Sequence, residues 1–282
     1  MNWERRLKSI VFGLKRHPWR FSTSIFLAYS ALWTIAESVA FFYPNLPLQG
    51  SKKHNLFIGV SVVLGIVRVY QPRQISIKAN TSDTKLNIYF GDIFKQEGYA
   101  AISVNEYFDS ELGKPVSENS LHGMVIKQYF GGYSESFDKA VSLDLQNVPF
   151  DIVQRQQGKT KKYPIGTTAK ITANEHKFLL FSLSYTDIQT SKASSDLPTM
   201  ITALHGLLDR SRNCTGGEKL TIPLIGSGLS GIGLPANQLL QLIVLIIIAE
   251  TKKQQICKEI NIVLHESRFE EVDLEAIKRQ WK

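Results

Sequence analysis

Four glycines near the carboxyl end of the chain have the spacing of a phosphate-binding loop. They are Gly226, Gly228, Gly231 and Gly233. The apolar run Leu220–Ile225 before them predicts a buried strand, and Pro235–Glu250 behind them predicts a helix. Glycine lets the backbone approach an anion, and the free N–H groups and the dipole of a helix N-terminus favour negative charge. The stretch therefore predicts a site for the diphosphate of a nucleotide.

The spacing formally matches the dinucleotide fingerprint Gly-x-Gly-x-x-Gly, but its place in the chain does not suit a Rossmann unit. There the glycines follow the first strand, and an acidic residue closes the next strand about 20 residues later. Here they come late, and the next predicted strand ends near His265. No Lys-Ser or Lys-Thr pair follows, which excludes a P-loop. The histidines lack the paired spacing of metal ligands, so no metal site is expected.

Three further motifs precede the glycine loop, each beside a predicted strand. A strand ends in Gly91-Asp92-Ile93, the next runs into Asn105, and Tyr163-Pro-Ile-Gly166 precedes a third. In this order, together with the glycine loop, they resemble the macro domain, the ADP-ribose-binding module, over about residues 84–266. The resemblance implies an α/β fold in which a mixed sheet is sandwiched between helices.

The resemblance also implies a role for each motif. Asp92 accepts a hydrogen bond from the adenine amino group, as suits an acceptor-only carboxylate, and the Ile93 N–H contacts the ring. The alternative for Asp92 is a simple turn residue. The loop backbone holds the diphosphate through Gly226, Ser227, Gly228, Leu229, Ser230, Gly231 and Ile232. The residues expected near the distal ribose are Asn105, Ser120, Leu121, His122 and Gly123.

Two segments depart from the usual macro-domain pattern. Asn105-Glu-Tyr-Phe108 stands in place of Asn-Ala-Ala-Asn, and Glu118–Gly123 replaces a glycine run. Hydrolytic macro domains use the second Asn near the distal ribose, where Phe108 cannot form a hydrogen bond. The resemblance therefore implies a sensor that is not an enzyme and needs no cofactor. The alternatives are a membrane-anchored ADP-ribosyl hydrolase and a passive tether that docks ADP-ribosylated protein.

The elements that must position these motifs alternate between strand and helix. The predicted strands are Ile75–Lys78, Leu86–Phe90, Ala100–Val104, Ala169–Thr172, Phe178–Leu183, Leu220–Ile225 and Ile260–Leu264. The predicted helices are Leu121–Phe130, Asp196–Arg212, Pro235–Thr251 and Glu270–Trp281. Gln154–Lys162 is the most loop-like segment. The pattern favours one domain over residues 74–282 with helices on both faces of a sheet.

Charge is concentrated before that domain. The chain carries a formal net charge of +8, yet residues 1–80 hold eleven Lys/Arg against two acidic residues, and residues 81–282 hold 22 against 23. The globular part therefore lacks the basic footprint of a nucleic-acid binder. Cys214 and Cys257 form no metal-ligand pattern, which agrees with a reduced compartment.

The N-terminal 80 residues predict attachment to a membrane. Residues 1–20 form a basic amphipathic leader suited to the membrane interface or, alternatively, a disordered basic tail. Residues 21–71 form a hairpin of two transmembrane helices, Phe21–Tyr43 and the shorter His54–Tyr70. A signal peptide and, for the second segment, a buried core helix are the alternatives.

Lysine and arginine on the outer flanks of both segments predict a multi-pass protein of the inner membrane with both termini in the cytoplasm. Glu37 is the one charge in the first segment. It either lines a conduit in an oligomer or is protonated and buried between helices.

Two spans followed by a divergent macro domain resemble the membrane effectors of type II Thoeris antiphage systems. This resemblance implies that a TIR-domain enzyme makes a nucleotide signal, histidine–ADP-ribose. The macro domain senses the signal, the effector forms a homo-oligomer, and the lipid bilayer is disrupted, which causes abortive infection.

Overall fold

The structure, a computed structural model, describes residues 3–43, 51–78, 83–228 and 231–281. The chain divides into two compact units, Met1–Arg73 and Gln74–Lys282. The first unit holds three helices: α1 (Trp3–Arg16), α2 (Pro18–Phe42) and α3 (Ser51–Val69). Residues 44–50 of the turn expected between α2 and α3 lie outside the described part.

Helices α2 and α3 pack as an antiparallel pair. Near the start of α2, Phe21 and Ile25 lie against Gly65 of α3, where an added Cβ would come within 2.9 Å of the Ile25 Cγ1. Further along, the Tyr29 hydroxyl lies 2.8 Å from His54 Nδ1. The close approach therefore depends on a small residue at 65.

Glu37 is exposed, and its carboxylate pairs with Lys53 Nζ at 2.9 Å. The expectation that Glu37 is buried between the helices is therefore wrong. The lysine that ends the polar turn in sequence supplies the counter-charge, and it lies in the first turn of α3, which begins at Ser51.

Among the described residues, α2 is the one helix long and apolar enough to cross a bilayer. Its 25 residues extend about 37 Å at 1.5 Å each, more than the roughly 30 Å of a hydrocarbon core. The 19 residues of α3 include Lys52, Lys53 and Arg68, so its uncharged stretch is shorter than the roughly 20 apolar residues of a full span. The structure thus provides one candidate span where the sequence predicts two.

Helix α1 buries a narrow face of small residues. Ser9 and Gly13 are buried, and a Cβ on Gly13 would lie 2.0 Å from the Val69 carbonyl oxygen. On another face Trp3, Leu7 and Val11 are 69%, 49% and 43% exposed. The amphipathic pattern of the leader therefore produces a helix, and these three apolar side chains point to the surroundings.

The described residues of the second unit form ten strands. They are β1 (Gln74–Lys78), β2 (Lys85–Phe90), β3 (Tyr99–Asn105), β4 (Asp151–Ile152), β5 (Lys161–Lys162), β6 (Thr168–Ala173), β7 (His176–Thr186), β8 (Ala193–Ser194), β9 (Leu220–Pro223) and β10 (Glu259–Leu264). The main sheet has the order β1-β2-β10-β9-β3-β7-β6, and β8 pairs with β7. Strands β2, β10, β9, β3 and β7 are parallel, whereas β1 and β6 are antiparallel edges. Strands β4 and β5 form a separate hairpin.

The part of this unit that the structure describes also contains five helices: α4 (Leu121–Tyr129), α5 (Ser134–Asp144), α6 (Leu197–Cys214), α7 (Ala236–Lys253) and α8 (Leu274–Gln280). Helices α6, α7 and α8 share one apolar core with one sheet face, and α4 and α5 share a second core with the other. The expected mixed sheet between helices is confirmed. The sequence pattern missed α5, because polar and apolar residues are mixed along it without a strong apolar stripe.

The strongly apolar helix α7 packs on the sheet, as its length predicts. Leu239, Leu240, Ile243 and Val244 are fully buried in the first core. Burying an aliphatic side chain of this size contributes about 1.5–3 kcal/mol, so this helix is a main contributor to the stability of the unit.

The Tyr-Pro-x-Gly motif has a packing role. Gly166 has φ of +90°, and an added Cβ on Gly206 of α6 would lie 2.2 Å from the Gly166 carbonyl oxygen. The Gly166 N–H donates to Ser182 O at 3.0 Å. Two glycines therefore let α6 approach the loop that leads into β6.

Candidate nucleotide-binding site

The parallel strands bring their carboxyl ends to one edge of the sheet. Asp92 follows the end of β2, Asn105 ends β3, and Gly226 follows β9. In open α/β sheets ligands bind in the crevice outside these ends. Residues separated by up to 134 positions in the sequence, from Asp92 to Gly226, thus meet at one edge because the strands between them run the same way.

At the end of β2, Asp92 caps a single 3-10 turn, Ile93–Lys95. Its Oδ1 accepts a hydrogen bond from Phe94 N at 3.0 Å, and the carboxylate is exposed. The Ile93 side chain is buried. Burial and the nearby Asp92 charge raise the pKa of the Tyr129 phenol. Asp92 therefore serves as a turn residue and also presents a second carboxylate oxygen at the surface.

The glycine loop closes on itself at one bond. The Ile232 N–H donates to Gly226 O at 3.1 Å, so this amide is used inside the loop instead of facing a ligand as expected. Gly226 has φ of +80°, and a Cβ there would lie 2.5 Å from Ile232 Cδ1. Glycine is therefore required at 226 for the loop geometry itself.

The remaining described amides of the loop have no hydrogen-bond partner in the part of the chain that the structure describes. They belong to Ser227, Gly228 and Gly231. Arg268 Nη2 donates to Ser227 O at 2.9 Å, which brings a guanidinium to the loop. Leu229 and Ser230, which the sequence assigns to the same loop, lie outside the described residues. Arg268 Nη1 also pairs with the Glu271 carboxylate at 2.7 Å, so the loop combines unpaired N–H groups with a guanidinium whose charge is balanced.

The Asn105 side chain is engaged within the protein. Its Nδ2 donates to Asp109 Oδ2 at 2.8 Å, and its Oδ1 accepts from Asp109 N at 3.1 Å. Asn105 is only 8% exposed. The predicted contact of this carboxamide with a distal ribose is therefore not preformed, because Asp109 takes both ends of the group.

The predicted loop at 120–123 forms the start of α4. Ser120 Oγ accepts from Gly123 N at 3.0 Å and donates to Ser117 O at 2.6 Å. A Cβ on Gly123 would lie 2.2 Å from the same Ser117 oxygen. Leu121 begins the helix and packs partly on the second core. The glycine here serves a tight turn.

His122 is buried and packs on Phe137, with ring centroids 5.4 Å apart. Burial first, and then the charge of Lys159, lower its pKa to about 3. The ring is therefore neutral at physiological pH. Its position makes it a core side chain.

Sequence inspection missed a buried ionic cluster beside Asn105. Asp109, with no exposed surface, accepts from Arg155 Nη2 at 2.9 Å and from Lys159 N at 2.7 Å. Lys159 Nζ donates to Phe108 O at 2.5 Å and pairs with Asp138. Burial lowers the pKa of Lys159.

Arg155 and Lys159 belong to Gln154–Lys162, the segment whose composition indicates a loop. The residue in the sequence that could have indicated this anchor is Gly158. It has φ of +84°, and a Cβ added there would lie 2.4 Å from Asp109 Oδ1. The cluster anchors this segment at the end of β3, next to the residues expected at the distal ribose.

Phe108 and Glu106, which depart from the macro-domain pattern, are also buried. Phe108 is 1% exposed, has φ of +51° and packs edge-on against Tyr163 at 5.5 Å. Glu106 accepts from Thr186 N at 2.9 Å, and burial raises the pKa of its carboxyl group. Both side chains tie the end of β3 to its neighbours. Within the described ranges no group of three or more His, Cys, Asp or Glu is placed to hold a metal ion.

Comparison with protein families identifies the domain. The model of the family described as "Thoeris protein ThsA, Macro domain" matches residues 86–265, well over half of the chain. The chain belongs to the Thoeris ThsA macro-domain family. The matched range contains both the Asp92 turn and the glycine loop, whereas Arg268 lies just beyond it. A search of curated protein sequences finds no match.

Solved structures agree with the ThsA macro-domain fold. The Oceanobacillus iheyensis macrodomain with ADP superposes with a TM-score of 0.51 at 14% identity, over 74% of this chain and 98% of that one. A glycine-to-valine variant of it with ADPR gives 0.51 at 13%, over 73% and 98%. The same macrodomain with MES bound gives 0.50 at 14%, over 73% and 97%. Identities this low establish the fold alone.

Proposed function

We propose that the chain is a membrane effector that senses an ADP-ribose conjugate, with histidine–ADP-ribose as the first candidate, made by a TIR-domain enzyme. The bound ligand promotes a homo-oligomer that disrupts the inner membrane during an antiphage response. The observation that carries the proposal is the glycine loop, whose unpaired amides lie at the same strand edge as Asp92. The ADP and ADPR named for the similar macrodomain structures support this class of ligand.

The adenine end of the ligand binds at the turn after β2. Because Asp92 Oδ1 already accepts from Phe94 N, its second oxygen is the acceptor for the adenine amino group. The turn is held in place by Gln96, whose Nε2 donates to Asp92 O at 2.6 Å. A fixed carboxylate selects an exocyclic NH₂ over a carbonyl, which favours adenine.

The diphosphate binds the amides of Ser227, Gly228 and Gly231. Each of these donors lacks an internal partner among the described residues, so binding replaces water without breaking a protein hydrogen bond. Arg268 holds the loop through its bond to Ser227 O, while Glu271 balances its charge.

The N-terminal unit holds the protein in the bilayer. Helix α2 spans it, and α3 returns as the second, shorter span, with Lys53 neutralising Glu37 near one end. Small residues at the α2–α3 contact favour helix association in lipid. Helix α1 lies in the interface with Trp3, Leu7 and Val11 in the headgroup region. Both termini face the cytoplasm, by the distribution of Lys and Arg.

The site binds its ligand without hydrolysing it. Phe108 occupies the position of a polar residue in hydrolytic relatives, and its ring is enclosed in the second core. Asn105 is held by Asp109. Neither side chain is available to activate water near a distal ribose, so the ligand acts by shifting a population toward the assembled state.

The test uses the full-length protein in nanodiscs and in dye-loaded liposomes. ADP-ribose and histidine–ADP-ribose are titrated by calorimetry, particle mass is measured with each ligand bound, and dye release is followed. We expect the conjugate to bind more tightly, to increase the particle mass and to release dye. The ligand is recovered and analysed by mass spectrometry, and we expect it intact.

Three results would contradict the proposal in different ways. Absence of binding would reject the site, binding without assembly or leakage would favour a passive tether, and conversion of the ligand would favour a hydrolase. Gly228→Asn serves as the folding control for every loop variant, because no described atom lies within 4 Å of a Cβ at 228.

A further inference from the structure

The sheet has an open polar groove away from the glycine loop. Helices α4 and α5 cover β3, β6 and β7 on one face. Beside them, β1, β2 and β10 line a groove of about 610 Å³, and the segment 95–97 forms one wall. The size lies within the range of small-molecule sites, which is roughly 300–1,000 Å³.

A row of four polar side chains lies on the sheet face that carries this groove, and all of them except Thr221 line the groove itself. Ser76, Asn87, Asn261 and Thr221 are register partners on four adjacent strands, β1, β2, β10 and β9. The residues on either side of them in each strand point into the apolar core on the other face. A sheet face that is to be covered by a helix carries apolar residues, so this row indicates a different use.

Two of these side chains are buried and keep unused hydrogen-bonding groups. Thr221 is fully buried, and its hydroxyl has no partner among the described residues. Asn261 is 5% exposed, and its Oδ1 accepts from Asn87 Nδ2 at 3.0 Å. Its Nδ2 makes no hydrogen bond with the described part of the chain. Asn261 belongs to the lining of the groove, and buried polar groups are normally satisfied, so its unused amide donor points to a ligand there.

Positive charge exceeds negative charge around the groove. Lys219 pairs with Glu97 at 3.1 Å and lies 4.0 Å from Glu259. The three other lysines of the lining have no carboxylate within 4.0 Å in the described structure. They are Lys85, Lys95 and Lys278. The excess charge favours an anion over a neutral or cationic ligand.

We propose that this groove is a second ligand site, which binds a small polar metabolite that carries a phosphate or carboxylate group. The free lysines neutralise the anion, and the Asn261 amide binds one of its polar groups. The site lies on the face of β1, β2 and β10, whereas the glycine loop lies at the strand ends. It therefore does not depend on ADP-ribose binding.

The experiment uses the full-length protein in detergent with Gly228→Asp, which should weaken anion binding at the loop by like-charge repulsion. Sodium pyrophosphate and citrate are titrated separately by calorimetry at low salt. We expect saturable binding, tighter for pyrophosphate if the natural ligand is a phosphate and tighter for citrate if it is a carboxylate. The double variant Lys85→Ala/Lys278→Ala should weaken binding at least about tenfold, and Lys252→Ala, which lies outside the groove, should not.

Both lysines are exposed, so their removal leaves the fold intact. Asn261→Leu provides a second variant that removes the buried amide, and its folding is checked by ADP-ribose binding in protein that retains Gly228. Equal affinity in the lysine double variant and the Lys252→Ala control would overturn the proposal. So would the absence of saturable binding up to about 10 mM. Failure of the ADP-ribose titration alone would instead reject the glycine-loop site.

Discussion

Replacing Gly228 by aspartate separates charge from folding at the glycine loop. No described atom lies within 4 Å of a Cβ placed on Gly228, so a side chain there costs little in the unbound protein. Gly226 is different, because it has φ of +80° and a Cβ would lie 2.5 Å from Ile232 Cδ1. Gly226→Asp would therefore lose binding through a distorted loop, and Gly228→Asp tests the anion directly.

The magnitude follows from the distance between the new carboxylate and the diphosphate. At about 5 Å and an effective dielectric constant of about 20, two like charges repel by about 3 kcal/mol. This corresponds to a loss of about 100-fold in affinity, since each 1.4 kcal/mol is tenfold. Gly228→Asn has the same shape without the charge and should retain most of the affinity.

The assay is calorimetric titration of ADP-ribose into full-length wild type, Gly228→Asp and Gly228→Asn, with circular dichroism to compare their folds. The difference between the two variants isolates the charge. Equal affinities for the Gly228→Asp and Gly228→Asn variants, with both folds intact, would show that no phosphate lies near this loop. A salt series adds a second check, because the penalty should shrink as ionic strength rises.

Three further predictions concern the other elements of the structure. Since His122 has a folded pKa of about 3 against 6.5 unfolded, its contribution to stability is present above pH 6.5 and is lost as pH falls toward 3. In denaturant titrations the free energy of unfolding of His122→Phe should therefore depend less on pH, by up to about 5 kcal/mol at 1.36 kcal/mol per pKa unit. An unchanged pH dependence would contradict the neutral buried ring. Gly206→Ala should lower the free energy of unfolding by about 1–3 kcal/mol, because its Cβ would lie 2.2 Å from the Gly166 carbonyl oxygen. A free energy of unfolding equal to that of wild type would mean that α6 and the loop are further apart. Gly65→Leu should abolish ligand-driven dye release by separating α2 and α3. Gly59→Leu is the control and should not, because no described atom lies within 4 Å of a Cβ placed on Gly59. Equal leakage from the two variants would show that the α2–α3 contact is not part of the mechanism.

Strand and helix positions were largely predictable because they depend on neighbouring residues. All seven predicted strands are present, although β9 ends at Pro223 instead of Ile225. The last helix is shorter than predicted and begins at Leu274, where Asp273 caps it by accepting from Ala276 N at 2.9 Å. Helix α5 escaped prediction because only Phe137 and Val141 of its residues are buried, which leaves a weak periodic signal.

The candidate site was predictable only in part. The Asp92 turn and the glycine loop each consist of residues close in sequence, so their motifs are visible. The roles of Asn105 and His122 were not, because Asp109 and Phe137 determine where those side chains point. A motif shows which residue types are present, and the packed neighbours decide which of their atoms remain free.

The amino-acid sequence by itself determined the order of the elements, the glycine loop, the basic N-terminal region and the apolar α2 and α7. These properties follow from hydrophobic periodicity, from the φ values open to glycine and from local charge. Only the tertiary structure decided that Arg155 pairs with Asp109, 46 positions away, and that Ser76, Asn87, Asn261 and Thr221 form one row. Such contacts depend on strand order and register, which bring together side chains that no local pattern relates.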